Sequence, residues 1–465
     1  MADIIKNKNY TVRITDYTDE GLGVGKDEES FLTLFVKDTA IGDKVEAKVL
    51  KAKKTYGYAK MISLMEASPD RKDPGCAVFD KCGGCQLRHI SYEAQLTWKE
   101  KRVADVLERV GGLKAGEDFK MLPIIGMENP LRYRNKAQYP VGIKDRKAVT
   151  GFFAERSHRV IPTEDCLIEH AQNASILETI RRYLNERKVP VYDEETHDGL
   201  VRHVLIRTAF SSGDIMVCLV LNCDEGDERE FKILDGLADE LKKNENIKSF
   251  VYNFNNKKTN VIMGRTEKTV FGDHFITEYI GDVGFHISPG SFFQVNPVQT
   301  KVLYEKACEF AGLTGKETVW DLYCGIGTIS LFLSGKAGHV YGVEVYGQAV
   351  ENAKENAKIN NIDNATFICS KAEDIRIGKD LPAPDVILVD PPRKGCDAKL
   401  LETIAEASPR RLVYVSCNPA TLARDVKVLT EAGFVLKEVQ PVDMFPETTG
   451  VETVALLSGP QATPG

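Results

Sequence analysis

A chain of 465 residues is longer than one hydrophobic core usually spans, about 250 to 300 residues, so two or three domains are expected. With 43% hydrophobic and 28% charged residues, 37 Gly and 19 Pro, it is neither a disordered nor a collagen-like chain. The charge sum of 61 Lys and Arg against 68 Asp and Glu, net −7, speaks as a single figure against a nucleic-acid partner.

Local sums disagree with that figure. Lys44 to Lys60 holds six Lys and one acid, and Asn129 to Val160 holds eight basic residues, Arg132 and Arg156 among them, against two acids. Phosphate binding depends on such local patches, because screening confines surface fields to about 10 Å. The bland alternative is two solvated faces. No apolar run approaches the roughly 18 residues of a membrane span. The opening MADIIKNKNYTVRI has no apolar h-region, so a cytoplasmic protein is expected. Its eleven Cys are then core, metal or catalytic residues rather than a disulfide framework.

In chain order, residues 1–68 read as a small β domain. Strand-like runs are Tyr10–Thr15, Phe31–Val36, Lys44–Val49 and Tyr58–Ile62, with glycine breaks between them. Short strands with glycine turns suggest an OB-type barrel. The Gly-rich run Gly21 to Gly25 lacks a strand–loop–helix context and reads as a turn rather than a phosphate loop.

Pro69 to Pro74 is a charged linker. Cys76, Cys82 and Cys85 follow in a C-x5-C-x2-C pattern, and Cys166 lies eighty residues beyond Cys85. Gly83 and Gly84 let the chain turn tightly between them. Four thiolates suit zinc or an iron–sulfur cluster, and spacing alone leaves both open. Tyr92–Val110 has helical apolar spacing. From about 120 to 285 a mixed α+β stretch is expected, with strands at Val201–Phe210, Ile215–Leu221 and Ser249–Asn253 and helices at Ala174–Leu184 and Glu230–Lys242. Beyond residue 300 strands alternate with helices: Thr318–Leu322, His339–Glu344, Thr366–Cys369, Asp385–Asp390 and Leu412–Ser416, with a helix at Tyr346–Asn360. That alternation predicts a doubly wound, mostly parallel sheet whose ligands sit beyond the C-terminal strand ends. The tail from Ser458 reads as frayed.

The strand ends carry the chemistry. The first runs into Asp321-Leu-Tyr-Cys-Gly-Ile-Gly327, where Gly325 and Gly327 allow a tight turn and close backbone approach of a ligand. Ser330 replaces the third Gly of a dinucleotide fingerprint, which weakens that reading. Glu344 closes the second strand, where a carboxylate can accept ribose hydroxyls. The fourth ends in Asp390-Pro-Pro-Arg393, a rigid loop holding Asp390 and Arg393 in a fixed frame. The fifth ends at Ser416-Cys417-Asn418-Pro419. Cys417 stands just before a helix start, which lowers a thiol pKa, and so reads as a nucleophile. Cys324 and Cys396 lack that setting. Glu452 interrupts an apolar run near the C-terminus. It is placed for general-base work, although read alone it is a solvated strand-end residue.

These motifs in this order, with Gly290-Ser-Phe-Phe-Gln-Val-Asn296 upstream and Val451-Glu452 downstream, closely resemble the S-adenosylmethionine-dependent RNA 5-methyluridine methyltransferases. The likeness spans nearly the whole chain and is strongest to the 23S rRNA (uracil-5-)-methyltransferases with a TRAM domain and an iron–sulfur site. It implies a TRAM barrel at 1–68, a central α+β domain with a four-Cys site at 69–285 and a Rossmann-like α/β methyltransferase domain at 286–465.

The resemblance also implies roles. Cys417 is the nucleophile and Glu452 the base. Gln294, Tyr323, Gly325, Gly327, Glu344 and Asp390 hold or flank S-adenosylmethionine. Phe292 and Asp390 shape the uracil pocket, and Arg132 contacts RNA. Cys76, Cys82, Cys85 and Cys166 ligate a [4Fe-4S] cluster, with zinc as the alternative. Gly450 departs from the pattern, which often has His there.

Such an enzyme adds the Cys417 thiolate to C6 of uracil, making C5 nucleophilic enough to take a methyl group, and a base then removes the C5 proton. The target must be unstacked, so an RNA loop or single-stranded segment is expected, with neither DNA nor membrane as partner and a monomeric chain. Competing readings are the same chemistry on tRNA, an N-methyltransferase using the Asp390–Arg393 loop, and a non-enzymatic RNA-binding iron–sulfur protein.

Overall fold

The computed structural model describes residues 4–155 and 157–460, so Arg156 of the second basic stretch and the tail beyond 460 lie outside the described residues. The chain divides into two compact units. One takes the described residues of Met1–Lys99, Phe153–Ser157 and Phe445–Gly450, and the other takes the rest.

The first unit holds a closed five-stranded barrel. Its strands are β1 (Asn9–Tyr17), β2 (Gly23–Asp27), β3 (Thr33–Lys37), β4 (Lys44–Ala52) and β5 (Tyr56–Glu66), in the order β1-β2-β3-β5-β4. Only β3 and β5 run parallel; the other neighbours are antiparallel. Alternate residues point inward, and Val12, Ile14, Leu34, Val36, Val45 and Val49 fill the interior. β2 corrects the reading of Gly21 to Gly25 as a turn. Gly23 and Gly25 are strand residues whose inward faces have no room for a side chain; a Cβ on Gly25 would lie 2.5 Å from Val12 Cγ1. The charged linker is anchored, since Arg71 Nε donates to both oxygens of buried Asp43 at 2.9 Å.

In the second unit, β6 (Lys120–Met121) precedes a seven-stranded sheet. Its strands are β7 (Lys136–Lys144), β8 (Lys147–Phe153), β9 (Val160–Pro162), β10 (Val201–Thr208), β11 (Ile215–Leu221), β12 (Ile247–Phe254) and β13 (Thr266–Gly272), ordered β13-β12-β11-β10-β7-β8-β9. Every residue of β10 and β11 is buried. The helix expected at Glu230–Lys242 is broken into Glu228–Phe231, a 3-10 turn at Lys232–Leu234 and Leu237–Leu241. Gly236 N donates to Tyr183 Oη at 3.1 Å, which takes that amide out of a helical ladder.

A hairpin of β14 (Ile276–Ile280) and β15 (Val283–Ile287) leads to the third layer. Its strands are β16 (Thr318–Leu322), β17 (His339–Glu344), β18 (Ala365–Cys369), β19 (Val386–Val389), β20 (Arg411–Ser416), β21 (Val435–Val442) and β22 (Glu452–Ser458). With β6 at the edge, the order is β18-β17-β16-β19-β20-β22-β21-β6. The first five strands of that order are parallel, and β22 inserts antiparallel between β20 and β21. The order reverses between β16 and β19, which is where a doubly wound sheet opens a ligand crevice. Among the described residues no helix is long and apolar enough to cross a membrane.

Candidate active site

At the end of β16 the chain takes left-handed conformations at Tyr323 (φ 75°), Gly325 (φ 55°) and Gly327 (φ 82°) before entering the helix Thr328–Ser334. Glu344, at the end of β17, secures this turn. Its Oε2 accepts from Gly325 N at 3.1 Å and its Oε1 from Tyr346 N at 2.9 Å. Nothing lies within 4 Å of where a Gly325 Cβ would stand, so the outer side of the turn is open. Ser330, the residue in place of a third glycine, is engaged inside the fold, where its hydroxyl donates to Asp321 Oδ2 at 2.5 Å. Asp321 Oδ1 is buried without a partner, and burial pushes this carboxyl up to about 6.

The Asp390-Pro-Pro-Arg393 loop is pinned from the next strand and helix. Asp425, fully buried, accepts from Cys396 N at 2.8 Å, Tyr414 Oη at 2.6 Å and Arg424 Nε at 2.7 Å. Asn418 joins this loop to the one after β20. Its Nδ2 donates to Arg393 O at 3.2 Å, while its Oδ1 caps the helix Pro419–Glu431 by accepting from Ala420 N at 3.1 Å. Cys417 lies between Asn418 and Ser416, whose hydroxyl both accepts from Asn418 N and donates to Asn418 O at 3.1 Å.

Strand pairing brings the second candidate to the first. Ser416 pairs with Thr453 at the end of the β20–β22 ladder, so Cys417, the residue after Ser416, and Glu452, the residue before Thr453, lie at the same end of that ladder, close enough for Glu452 to act on the thiol. Glu452 is 3% exposed, which overturns its reading as a solvated strand end, and its Oε2 is buried without a hydrogen bond. Burial, then the nearby Asp390 carboxylate, holds the Glu452 carboxyl well above its ordinary range, while Arg393 opposes them. Asp390 is pushed up to about 7, by burial first and by Asp321 second. The Cys417 thiol is pushed up to about 11 by burial, Glu452 and Asp390, with Arg393 opposing. A helix start alone pointed the other way. Here burial and two carboxylates outweigh it.

The remaining expected residues divide. In the Gly290–Asn296 segment Phe292 is 75% exposed and Gln294 is half-buried. Asn135 supports this segment twice, through Nδ2 to Gln294 O at 3.0 Å and through its backbone N to Val295 O at 2.8 Å. Arg207, buried on β10, donates to Pro289 O at 3.3 Å and to Ser291 O. Sequence reasoning missed both residues. The available signal for Arg207 was basic residues, Arg202 and Arg207, inside a strand that is buried along its whole length; Asn135 carries no such signal.

Arg132 is turned onto its own unit: Nη1 and Nη2 meet Asp165 at 2.6 Å each, and Nη1 reaches Cys166 O at 2.9 Å. Arg134 likewise pairs with buried Glu169 at 3.3 Å. Lys136 is lowered to about 7 by burial and by the cations Arg207 and Arg134. Three of the eight basic residues of the second stretch, Arg132, Arg134 and Lys136, are therefore half-buried and engaged within the fold, while Lys144, Arg146, Lys147 and Arg159 are exposed. Gly450 is tight, since a Cβ there would lie 2.9 Å from Phe445 Cδ2, so a side chain at this position would need the ring to move.

Cys76, Cys82 and Cys85 belong to the first unit and Cys166 to the second. The Cys82 thiol is raised by burial and, less, by the neighbouring Cys76. Among the described residues no group of three or more His, Cys, Asp or Glu side chains is arranged to hold a metal ion. The geometry therefore does not display the expected cluster site.

The family model described as tRNA (Uracil-5-)-methyltransferase matches residues 234–459, and the TRAM domain model matches residues 6–62. A Halalkalibacterium halodurans protein named an uncharacterized RNA methyltransferase is 48% identical over 98% of this chain and 98% of its own length. A Clostridium acetobutylicum protein of the same description is 47% identical over the same shares. The crystal structure of Pyrococcus abyssi tRNA (uracil-54, C5)-methyltransferase in complex with S-adenosyl-L-homocysteine superposes with a TM-score of 0.76 at 26% identity, covering 96% of this chain and 100% of that one. With a barrel matched by the TRAM model, a methyltransferase sheet and a Cys417–Glu452–Asp390 cluster at its crevice, the chain belongs to the TRAM-containing RNA (uracil-5-)-methyltransferases, a family that uses S-adenosylmethionine.

Proposed function

We propose that this enzyme methylates C5 of a uridine in 23S rRNA through a covalent bond between Cys417 and C6 of the base. The observation that carries the reading is the grouping of Cys417, Glu452 and Asp390, close enough to act on one another, at one end of the β20–β22 ladder. S-adenosylmethionine supplies an electrophilic sulfonium methyl. The positive-φ turn at Gly325 and Gly327 and the Glu344 carboxylate suit its adenosine part, with Tyr323, Gln294 and Asp390 beside it.

The Cys417 thiol gives its proton to solvent and its sulfur bonds to C6, sending an electron pair to C5 and the O4 carbonyl. C5 then takes the methyl group as the sulfur–methyl bond breaks, leaving S-adenosylhomocysteine. Glu452, as carboxylate, then removes the C5 proton, and the electron pair left behind expels the Cys417 sulfur and restores the ring. Asp390 orients the base edge, and Phe292 walls the pocket. An N-methyltransferase would need the Asp390 loop but neither a buried base nor a thiol beside it.

A second reading keeps this chemistry and moves it to tRNA. It is favoured by the tRNA enzyme from Pyrococcus abyssi, whose whole length aligns with this chain. Mapping 5-methyluridine in rRNA and tRNA from cells with and without the protein separates the two. Loss of a 23S rRNA site supports the first and loss of a tRNA site the second. No change in either removes both.

The [4Fe-4S] cluster on Cys76, Cys82, Cys85 and Cys166 is proposed from the family resemblance at these four positions, with zinc as the alternative that the spacing leaves open. Iron and sulfide analysis of anaerobically purified protein tests it, with zinc or no metal as the contrary results. The division at 1–68, 69–285 and 286–465, an RNA contact at Arg132, the monomeric state and the cytoplasmic location are proposed on the same footing.

A further inference from the structure

The outside of the barrel carries an aromatic cluster that lies outside the core cluster filling its interior. Phe35 on β3 and Tyr56 and Tyr58 on β5 occupy outward positions, since Leu34, Val36, Gly57 and Ala59 between them are buried. The three rings contact one another, with centroids 5.2 Å (Phe35–Tyr56), 5.5 Å (Phe35–Tyr58) and 5.7 Å (Tyr56–Tyr58) apart. All three are only half-buried. Three half-wet aromatics on an outer β surface cost hydration, because the interior core is complete without them.

Their surroundings are basic. Strand register sets Lys51 beside Tyr58, Lys60 beside Lys37, and Lys26 beside Thr33, which in turn pairs with Tyr56. Lys37 is bonded to Glu155 at 2.9 Å. Lys26, Lys51 and Lys60 form no ion pair among the described residues. Ring faces bordered by ammonium groups match one chemistry closely: unpaired bases on a phosphate backbone.

We propose that Phe35, Tyr56 and Tyr58 form a stacking platform for unpaired bases in a single-stranded segment of the RNA substrate, with Lys26, Lys51 and Lys60 holding the adjoining phosphates. The proposal rests on the reading that the substrate is RNA, and it assigns a binding face to the first unit, whereas the methyl-transfer residues belong to the second. The platform is indifferent to base identity, because every base has a π-face. It therefore holds and orients the strand and leaves choice of uridine to the catalytic pocket.

The test is fluorescence anisotropy with the full chain and a labelled 20-nucleotide uridine oligomer, over a salt series. Tyr58→Leu and Phe35→Leu are each expected to weaken binding about tenfold with the salt slope unchanged, and Tyr58→Phe to restore it. Lys51→Gln and Lys60→Gln are expected to reduce the salt slope by about 0.7 each. Affinity for S-adenosylmethionine should not move in any variant. Wild-type affinity in both leucine variants overturns the platform and leaves a face that holds RNA by charge alone. Absence of oligomer binding by the wild-type chain also overturns it.

If a leucine variant does not fold, ultraviolet cross-linking of the oligomer to the wild-type chain decides. Cross-links on peptides holding Phe35, Tyr56 or Tyr58 support the platform, and their absence removes it. Methylation of cellular RNA by the wild-type chain is scored separately, so failure of the platform and failure of the proposed activity give different results.

Discussion

Cys417 and Glu452 flank the Ser416–Thr453 pair at one end of the β20–β22 ladder, where β22 runs antiparallel between β20 and β21, and Glu452 acts directly on the Cys417 thiol. This pairing makes a reactive site from two residues that a local reading treats separately. It puts a thiol beside a buried carboxylate, and the carboxylate raises the cost of charging the thiol.

Replacing Cys417 by Ala or Ser is expected to abolish methyl transfer. The side chain is half-buried and shapes no core cluster, so unfolding midpoints should stay within about 1 kcal/mol of the parent protein. Radiolabelled methyl incorporation and denaturant titration check the two parts. Full activity in Cys417→Ala would rule out the covalent route.

Glu452→Gln is expected to separate the halves of the reaction. Methyl transfer to C5 remains possible, but release needs the C5 proton removed, so a protein–RNA adduct should accumulate with ordinary RNA. A denaturing gel reads it directly. Rapid turnover without adduct would assign the base elsewhere.

The buried carboxyls predict a pH dependence of stability. Asp390 in the folded chain is raised to about 7 and Glu452 is also raised well above its ordinary range, whereas unfolded carboxyls titrate near 4. The native chain therefore binds more protons than the unfolded one between about pH 4 and 7. Stability from these groups is full below that window and falls as pH rises through it. Asp390→Asn should flatten the fall, as measured by urea unfolding at pH 5 and pH 8.

The thiol predicts a pH dependence of rate. With Cys417 raised to about 11, the thiolate fraction of the ligand-free enzyme grows throughout the range from pH 7 to 9. The value of kcat/KM should rise with it, up to about tenfold per pH unit. Arg393 favours the charged thiolate, so Arg393→Gln should lower kcat/KM by about tenfold or more, and by a similar factor at pH 7 and pH 9 because both lie below the thiol's range.

Arg207 holds the Gly290–Asn296 segment from beneath through two carbonyls. Arg207→Gln should cost about 1–3 kcal/mol of stability, since it leaves buried acceptors unmade. Its kinetic mark should be a higher KM for S-adenosylmethionine with a smaller change in kcat, because Gln294 sits on that segment. Unchanged kinetics would make Arg207 structural only.

The α/β sheet and its strand-end motifs were legible in the sequence because strand–helix alternation fixes which ends carry ligands. Asp321, Glu344, Asp390 and Cys417 all lie at or beside strand ends. What was not legible depends on partners distant in the chain. The burial of Glu452 follows from insertion of β22 between two strands. The upward shift of Cys417 comes from burial, Glu452 and Asp390, against the adjacent helix start that was visible locally. Arg207 finds its carbonyls 82 and 84 residues away. The Gly23–Gly25 strand was mistaken for a turn because glycine marks both tight turns and crowded interiors. The Cys spacing announced a metal site, yet the described residues do not assemble one.

Everything proposed for the reaction depends on the bond between Cys417 and uracil C6. It is probed by incubating the enzyme and S-adenosylmethionine with RNA in which uridine is replaced by 5-fluorouridine, where fluorine blocks the final proton removal. Mass spectrometry of the digested product should show a methylated fluorouridine attached to the peptide containing Cys417, and none in Cys417→Ala. An enzyme that methylates ordinary uridine at C5 yet leaves Cys417 unmodified with the fluorinated RNA would show that no such bond forms.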